Sequence, residues 1–205
     1  MISPEIIEAS IQQHEEELSA VFDSGATTAE LDGLEGEIGF GLPDSFRAFY
    51  LLANGQKADE SGFRSGVPAI PALILPSEKD TASWGDFSPV AAILCSTKFH
   101  REFPVDLLLS DFDGPDDLRG FASKTEKHLI FSDPGSGGRI GLVYAPGVFD
   151  TKDSFCVMAF NHDPPLAGLL APTFGDFLEM VNDSILSDEY CYSEDFGNFV
   201  SVNAL

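Results

Sequence analysis

The chain has 205 residues, 43% of them hydrophobic, with 34 acidic side chains against 11 basic ones and a formal net charge of −23. A surface this negative repels nucleic-acid phosphates and anionic lipid headgroups and attracts basic partners at long range. Eighteen phenylalanines and the apolar content mark a globular chain rather than a disordered one.

This length suffices for one domain that buries about 70% of its unfolded surface. No linker or shift in composition divides it, so residues 1–187 read as one domain and 188–205 as an acidic, aromatic tail. Cys95, Cys156 and Cys191 are odd in number and lack CxxC spacing, which disfavours a disulfide framework or a zinc site. Met1-Ile2-Ser3-Pro4-Glu5 has neither the basic nor the apolar region of a secretory signal. The apolar run Val67 to Pro76 is too short to span a bilayer and carries three prolines. The expectation is a reduced, cytoplasmic protein that binds neither membrane nor nucleic acid.

Ser3-Pro4 opens a first helix, with Ile7, Ile11, Leu18 and Phe22 on its apolar side, Glu15, Glu16 and Glu17 on the solvated side, and a stop at Asp23-Ser24-Gly25. Thr27 to Glu30 has capping-box form, and Leu31, Leu34 and Ile38 follow at helical spacing until Gly39 and Gly41. Pro43 starts the next helix, whose stripe is Phe46, Phe49, Tyr50 and Ala53. Asn54-Gly55 reads as its stop. From Gln56 to Glu102 the pattern is loop-rich, with extended pieces near Ala69–Leu75 and Val90–Ser96. Phe103–Leu109 is ambiguous, and Asp111–Asp117 reads as an acidic turn. Lys127–Phe131, Arg139–Tyr144 and Phe155–Phe160 are predicted strands, the first two joined by a hairpin turn at Asp133–Gly138. Thr173 caps a last helix with Phe174, Phe177, Leu178, Val181 and Ile185 inward. Helices, then a strand meander, then a helix indicate α+β rather than alternating α/β.

Little in the chain announces catalysis. Leu107 to Gly114 runs an apolar segment into Asp111-Phe112-Asp113-Gly114, which resembles the first motif of haloacid-dehalogenase-type phosphatases. Asp111 would then be the nucleophile and Asp113 the general acid beside magnesium. That motif normally opens its fold, whereas 110 residues precede it here and only 92 follow Asp113. The phosphatase therefore ranks last among the readings. As an EF-hand starting at Asp111 the loop fails, because positions six and twelve hold Asp116 and Ala122. Gly135, Gly137, Gly138 and Gly141 do not form GxGxxG. Cys156 and His162 are the closest Cys/His pair, but Cys156 reads as sheet core. The four histidines, His14, His100, His128 and His162, are scattered and read as surface or capping residues. No cofactor, metal site or catalytic residue is expected.

Several segments carry a likeness. Leu31, Leu34, Glu35, Ile38 and Gly39 precede Leu42-Pro43-Asp44-Ser45-Phe46, then Phe49, Tyr50 and Asn54-Gly55. Further on stand Leu129 to Asp133, Gly137-Gly138, Phe155–Phe160, and Ala171 to Leu178. In order and spacing this resembles the SUKH superfamily of Smi/Knr-like cell-wall regulators and bacterial immunity proteins, from about Thr27 to Ile185. The resemblance implies a mixed, largely antiparallel sheet with helices packed on it. It also implies function by binding, in bacterial members mostly neutralisation of polymorphic toxins. Leu34, Glu35, Leu42, Pro43, Phe46, Tyr50, Asn54 and Gly55 would be structural. A basic toxin domain, a nuclease or nucleotide-acting enzyme, suits the charge, with Asp111, Asp113, Asp116 and Asp117 as rim and Trp84 as an aromatic anchor. A regulatory or scaffold module of the Smi/Knr-like type is the alternative. The middle segment, Gln56–Glu126, is longer and more acidic than the pattern.

Overall fold

A computed structural model describes residues 2–13, 21–57, 70–74, 82–102, 112–133, 138–162, 165–187, 190–193 and 198–201. Leu18, Glu15 to Glu17, the segment Phe103–Leu109, Asp111 and the turn residues 134–137 lie outside these.

Helix α1 (Pro4–Gln12) opens as expected, with Ser3 at the N-cap and Pro4 at N1, and buries Ile7 and Ile11 completely. Phe22 does not extend it. Phe22–Ser24 is strand β1, which pairs antiparallel with β2 (Ala53–Gln56). Between them, α2 (Thr28–Ile38) carries the full capping box: the Glu30 amide donates to Thr27 Oγ1, and the Thr27 amide donates to the Glu30 carboxylate. Gly39 ends α2 at φ 83°, a left-handed conformation that suits glycine. Pro43 occupies the N-cap of α3 (Asp44–Leu52).

The expected helix stop at Asn54-Gly55 is corrected. The helix ends two residues earlier because Ala53 turns extended (φ −144°, ψ 115°) and pairs with Ser24. Beyond β3 (Ile70–Ile74) and its antiparallel partner β4 (Ala82–Gly85), residues 90–96 are likewise not extended. They belong to α4 (Val90–Glu102). Its buried positions Val90, Ile93, Thr97 and His100 keep helical spacing, but two of the four are polar, which hides the period from an apolar count.

The expected acidic turn divides into β5 (Phe112–Asp113) and α5 (Asp116–Ala122), joined by Gly114 and Pro115. The three predicted strands stand as β6 (His128–Ser132), β7 (Gly138–Tyr144) and β8 (Phe155–His162). A fourth, β9 (Pro165–Ala171), was not legible in Pro-Leu-Ala-Gly-Leu-Leu-Ala, a run poor in β-branched residues. Helix α6 (Phe174–Leu186) follows, capped by Thr173. In the tail, β10 (Tyr190–Ser193) and β11 (Asn198–Ser201) pair as an antiparallel ribbon, with β11 beside β3.

The main sheet has the order β5-β9-β8-β7-β6, antiparallel throughout except for the parallel β5–β9 edge. Helices on a meandering sheet make the fold α+β. Side chains of β8 alternate between two cores, so residues 155–160 are buried on both faces. One face carries the aromatic core, where Phe46, Tyr50, Phe87, Phe131, Phe174 and Phe177 are fully buried. Phe46 stacks on Tyr50 at 4.4 Å and meets Phe174 at 4.9 Å. Such pairs add about 0.5–1.5 kcal/mol each beyond their buried area. The opposite face packs Leu118 and Ala122 of α5 on Ile130, Val143, Met158 and Phe160.

Candidate functional site

Asp113 ends β5, paired with Gly168 of β9 at the sheet edge. Pro115 then caps α5, and Asp116 and Asp117 occupy its first turn, exposed, where the partial positive charge of the helix start favours carboxylates. Leu118 and Ala122 anchor the helix from below, and the Arg119 guanidinium lies 5.2 Å over the Phe112 ring. Three of the four aspartates singled out from the sequence are thus displayed on one strand-to-helix turn; the fourth, Asp111, is outside the described residues.

Trp84 is placed elsewhere. It lies in β4, next to Gly85, where an added side chain would run into the Ser132 hydroxyl and approach Ile140. Ile140 belongs to the aromatic core, so β4 lies on that face and α5 on the other. The cross-strand row Ile140, Ala159, Gly168, Asp113 separates the two places by three strand spacings, about 14 Å. Among the described residues, Asp113 sits on the edge strand β5, parallel to β9, rather than at the end of a central parallel strand, and Asp111 lies outside them. Among the described residues no group of three His, Cys, Asp or Glu side chains is arranged to hold a metal ion.

Leu34, Leu42, Phe46 and Tyr50 are buried. Glu35 Oε1 accepts from the Leu42 amide at 2.8 Å, fixing the loop into α3, while its other oxygen meets Arg47 at 2.9 Å. Arg47 also reaches Asp32 at 2.8 Å, and these bonds, Asp32 first, hold its guanidinium above its ordinary range. The Val90 amide donates to Asn54 Oδ1 at 2.9 Å, so Asn54 supplies a first-turn acceptor to α4 instead of ending α3. The Tyr50 hydroxyl donates to Ser88 O at 3.0 Å, and Gln56 clasps Phe87 through its own amide and its Oε1. These bonds seat the segment 87–90, and with it α4.

Most described cations are already engaged. Arg47 bridges Asp32 and Glu35, Lys98 meets Glu37 at 2.9 Å, and Arg139 meets Asp133 at 3.4 Å. Arg101, Arg119, Lys124 and Lys127 lie over the rings of Phe40, Phe112, Phe121 and Tyr144. The rings leave those four charges in place, so the negative surface follows from the excess of 34 acidic over 11 basic side chains.

Sequence reasoning missed one buried polar cluster. His100 and His128, read from the sequence as surface or capping residues, are both fully buried, with His100 Nε2 and His128 Nδ1 3.0 Å apart. Their rings lie 5.3 Å apart, each 5.1 Å from Phe160. Burial first, then the neighbouring His128, Arg139 and Arg101, pushes His100 down to about 3; burial pushes His128 down to about 4. Both imidazoles are neutral at pH 7. The available signal was spacing: His100 follows Val90, Ile93 and Thr97 on the buried stripe of α4. His14 lies outside the described residues, and of His162 only the backbone is described. Cys156 is core as expected, its thiol pushed up by burial to about 12, so it is no nucleophile at neutral pH.

No helix among the described residues is long and apolar enough to cross a membrane. No curated protein matches the chain. The SMI1 / KNR4 family (SUKH-1) matches residues 25–180, 156 of the 205, which takes in everything from just before α2 to the middle of α6. The chain is a member of the SMI1 / KNR4 (SUKH-1) family.

Proposed function

We propose that this protein works by binding rather than catalysis, as an immunity protein that sequesters the basic catalytic domain of a toxin acting on nucleic acid or nucleotides. One observation carries the reading beyond family membership. The chain carries 34 acidic side chains against 11 basic ones, and Arg47, Lys98 and Arg139 are paired with carboxylates, so negative charge dominates the surface a partner meets. Asp113, Asp116 and Asp117 stand together on the β5–α5 turn, with Asp111 two residues before Asp113 in sequence. Carboxylates so placed can occupy a phosphate-binding site and speed association. The protein would act in the cytoplasm, without cofactor.

The test is affinity capture from the native host at low and moderate salt, with bound proteins identified by mass spectrometry. Any captured enzyme is then assayed with the purified protein added. The expected result is a basic toxin domain, released by salt and inhibited at one-to-one stoichiometry. Capture of an endogenous wall-synthesis or signalling protein, or of an enzyme that stays active when bound, would replace this reading with a regulatory module of the family's other kind.

A further inference from the structure

Strand β6 is one edge of the main sheet, and α4 lies along it: Val90 and Ile93 enter the aromatic core with Leu129 and Phe131, while polar contacts meet the edge itself. The Ser88 amide, just ahead of the helix, donates to Phe131 O at 2.9 Å. The Ile130 amide donates to Thr97 Oγ1 at 3.0 Å, and Arg101 Nη2 donates to His128 O at 3.1 Å. These satisfy strand-edge groups that would otherwise invite pairing with another chain.

The histidine pair closes this contact, and its bonds have one workable direction. His128 Nε2 faces only an acceptor, Phe121 O at 3.3 Å, so it carries the proton and leaves Nδ1 as a lone pair. His100 Nε2 must then be the donor across the 3.0 Å gap. His100 Nδ1 in turn is the acceptor facing Arg139 Nη1 at 3.5 Å. The chain Arg139→His100→His128→Phe121 O links β7, α4, β6 and α5 and has no place for another proton. A second proton on His128 would meet the N–H of His100, and one on His100 would meet the Arg139 guanidinium. Arg101, from α4 itself, adds like charge to both rings. Glu126, beside β6, is the acidic group that favours charge on His128, but it is exposed and screened by water.

We propose that the His100–His128 contact is a proton-sensitive latch: protonation of either ring frees α4 from the edge of β6 while the rest of the sheet stays paired. Freed imidazoles titrate near 6.5, the closed ones near 3 and 4. The opening equilibrium therefore rises roughly a thousandfold between pH 8 and pH 5, about thirtyfold per ring. Acid thereby uncovers the edge of β6.

The test is native-state hydrogen exchange at pH 8 and pH 5, corrected for intrinsic rates, in a series of low urea concentrations. At pH 5 the Ile130 and α4 amides should exchange well before those of β8 and β9. Their protection should depend little on urea, the mark of a local opening. His100→Gln should cut the pH dependence at those amides from about a thousandfold to about thirtyfold, the share of His128. If α4 and β8 amides instead share one protection level and one urea slope at pH 5, acid merely unfolds the whole protein and the latch is overturned. It is equally overturned if α4 protection does not change with pH, a result readable on the native chain even where the variant fails to fold.

Discussion

Gly55→Ala is the sharpest test of how the motif residues work. Gly55 sits at φ 76°, and a methyl group there would lie 2.5 Å from Pro89 N, 2.6 Å from Ser88 C and 2.7 Å from Phe87 O. All three are backbone atoms, so no side-chain rotation relieves the clash. The segment cannot drift away freely either, since Gln56 N, Gln56 Oε1, Tyr50 Oη, Phe131 O and Asn54 Oδ1 all hold it. A left-handed conformation costs a residue with Cβ about 1–2 kcal/mol, and overpacking adds about 1–3 kcal/mol. The expected loss is about 2–5 kcal/mol. Asn54→Ala removes only one acceptor and should cost about 1 kcal/mol. Urea denaturation followed by far-ultraviolet circular dichroism measures both, read as a shift of midpoint at constant slope. If Gly55→Ala stays within about 0.5 kcal/mol of the parent, the scaffold role assigned to Asn54-Gly55 is wrong, and a helix stop that tolerates alanine takes its place.

Three further outcomes are expected. Thr173 Oγ1 accepts from the Asp176 amide at 3.1 Å, so Thr173→Ala should destabilise by about 1 kcal/mol in the same assay. Gly33 and Gly36 lie within α2 at ordinary helical φ, with nothing within 4 Å of an added methyl. Each change to alanine should therefore raise stability by about 0.5–1 kcal/mol, and a fall in melting temperature would contradict this. For the histidines the sign is set by folded pKa values below the unfolded 6.5. Their contribution is whole above that pH and is lost as pH falls towards 4 and 3, about 2 kcal/mol per ring by pH 5. Comparison with His100→Gln/His128→Gln cancels the opposing relief of acidic repulsion, and nitrogen-detected NMR should find both rings as neutral Nε2–H tautomers down to pH 5.

What the sequence disclosed depended on whether the decisive contact was local. The Thr27 capping box, Gly39, and the stripe from Phe174 to Ile185 are settled within a few residues, and they stand where periodicity placed them. Helix α4 was hidden because its first turn is capped by Asn54, 36 residues away, and because Thr97 and His100 occupy inward positions. The β9 strand was hidden because its order comes from β8 rather than from its own side chains. The acidic turn was legible as composition, and its separation from Trp84 was not. Which face of a sheet a residue joins depends on register, and register is set by pairing across the chain.

The placement of the segments outside residues 25–180 bears on where a partner docks. Ser10 of α1 donates to Asn182 Oδ1 in α6 at 2.8 Å, and β10 and β11 lie beside α6 and β3. All of these cover the aromatic-core side. On the opposite side α5 is the one helix packed among the described residues, and on its turn Asp116 and Asp117 are exposed and Asp113 half-exposed. If the partner approaches that side, Asp113→Asn, Asp116→Asn and Asp117→Asn together should slow association with the captured partner about tenfold at low salt. The effect should shrink as salt rises, because steering by charge is screened within a Debye length. The exposed stripe Asp176, Glu179 and Asp183 on α6 offers an equal change of charge on the other side. Stopped-flow association of both triple variants separates position from net charge. Equal slowing would mean that only total charge steers the encounter. Slowing confined to the α6 variant would move the docking face to α1 and α6.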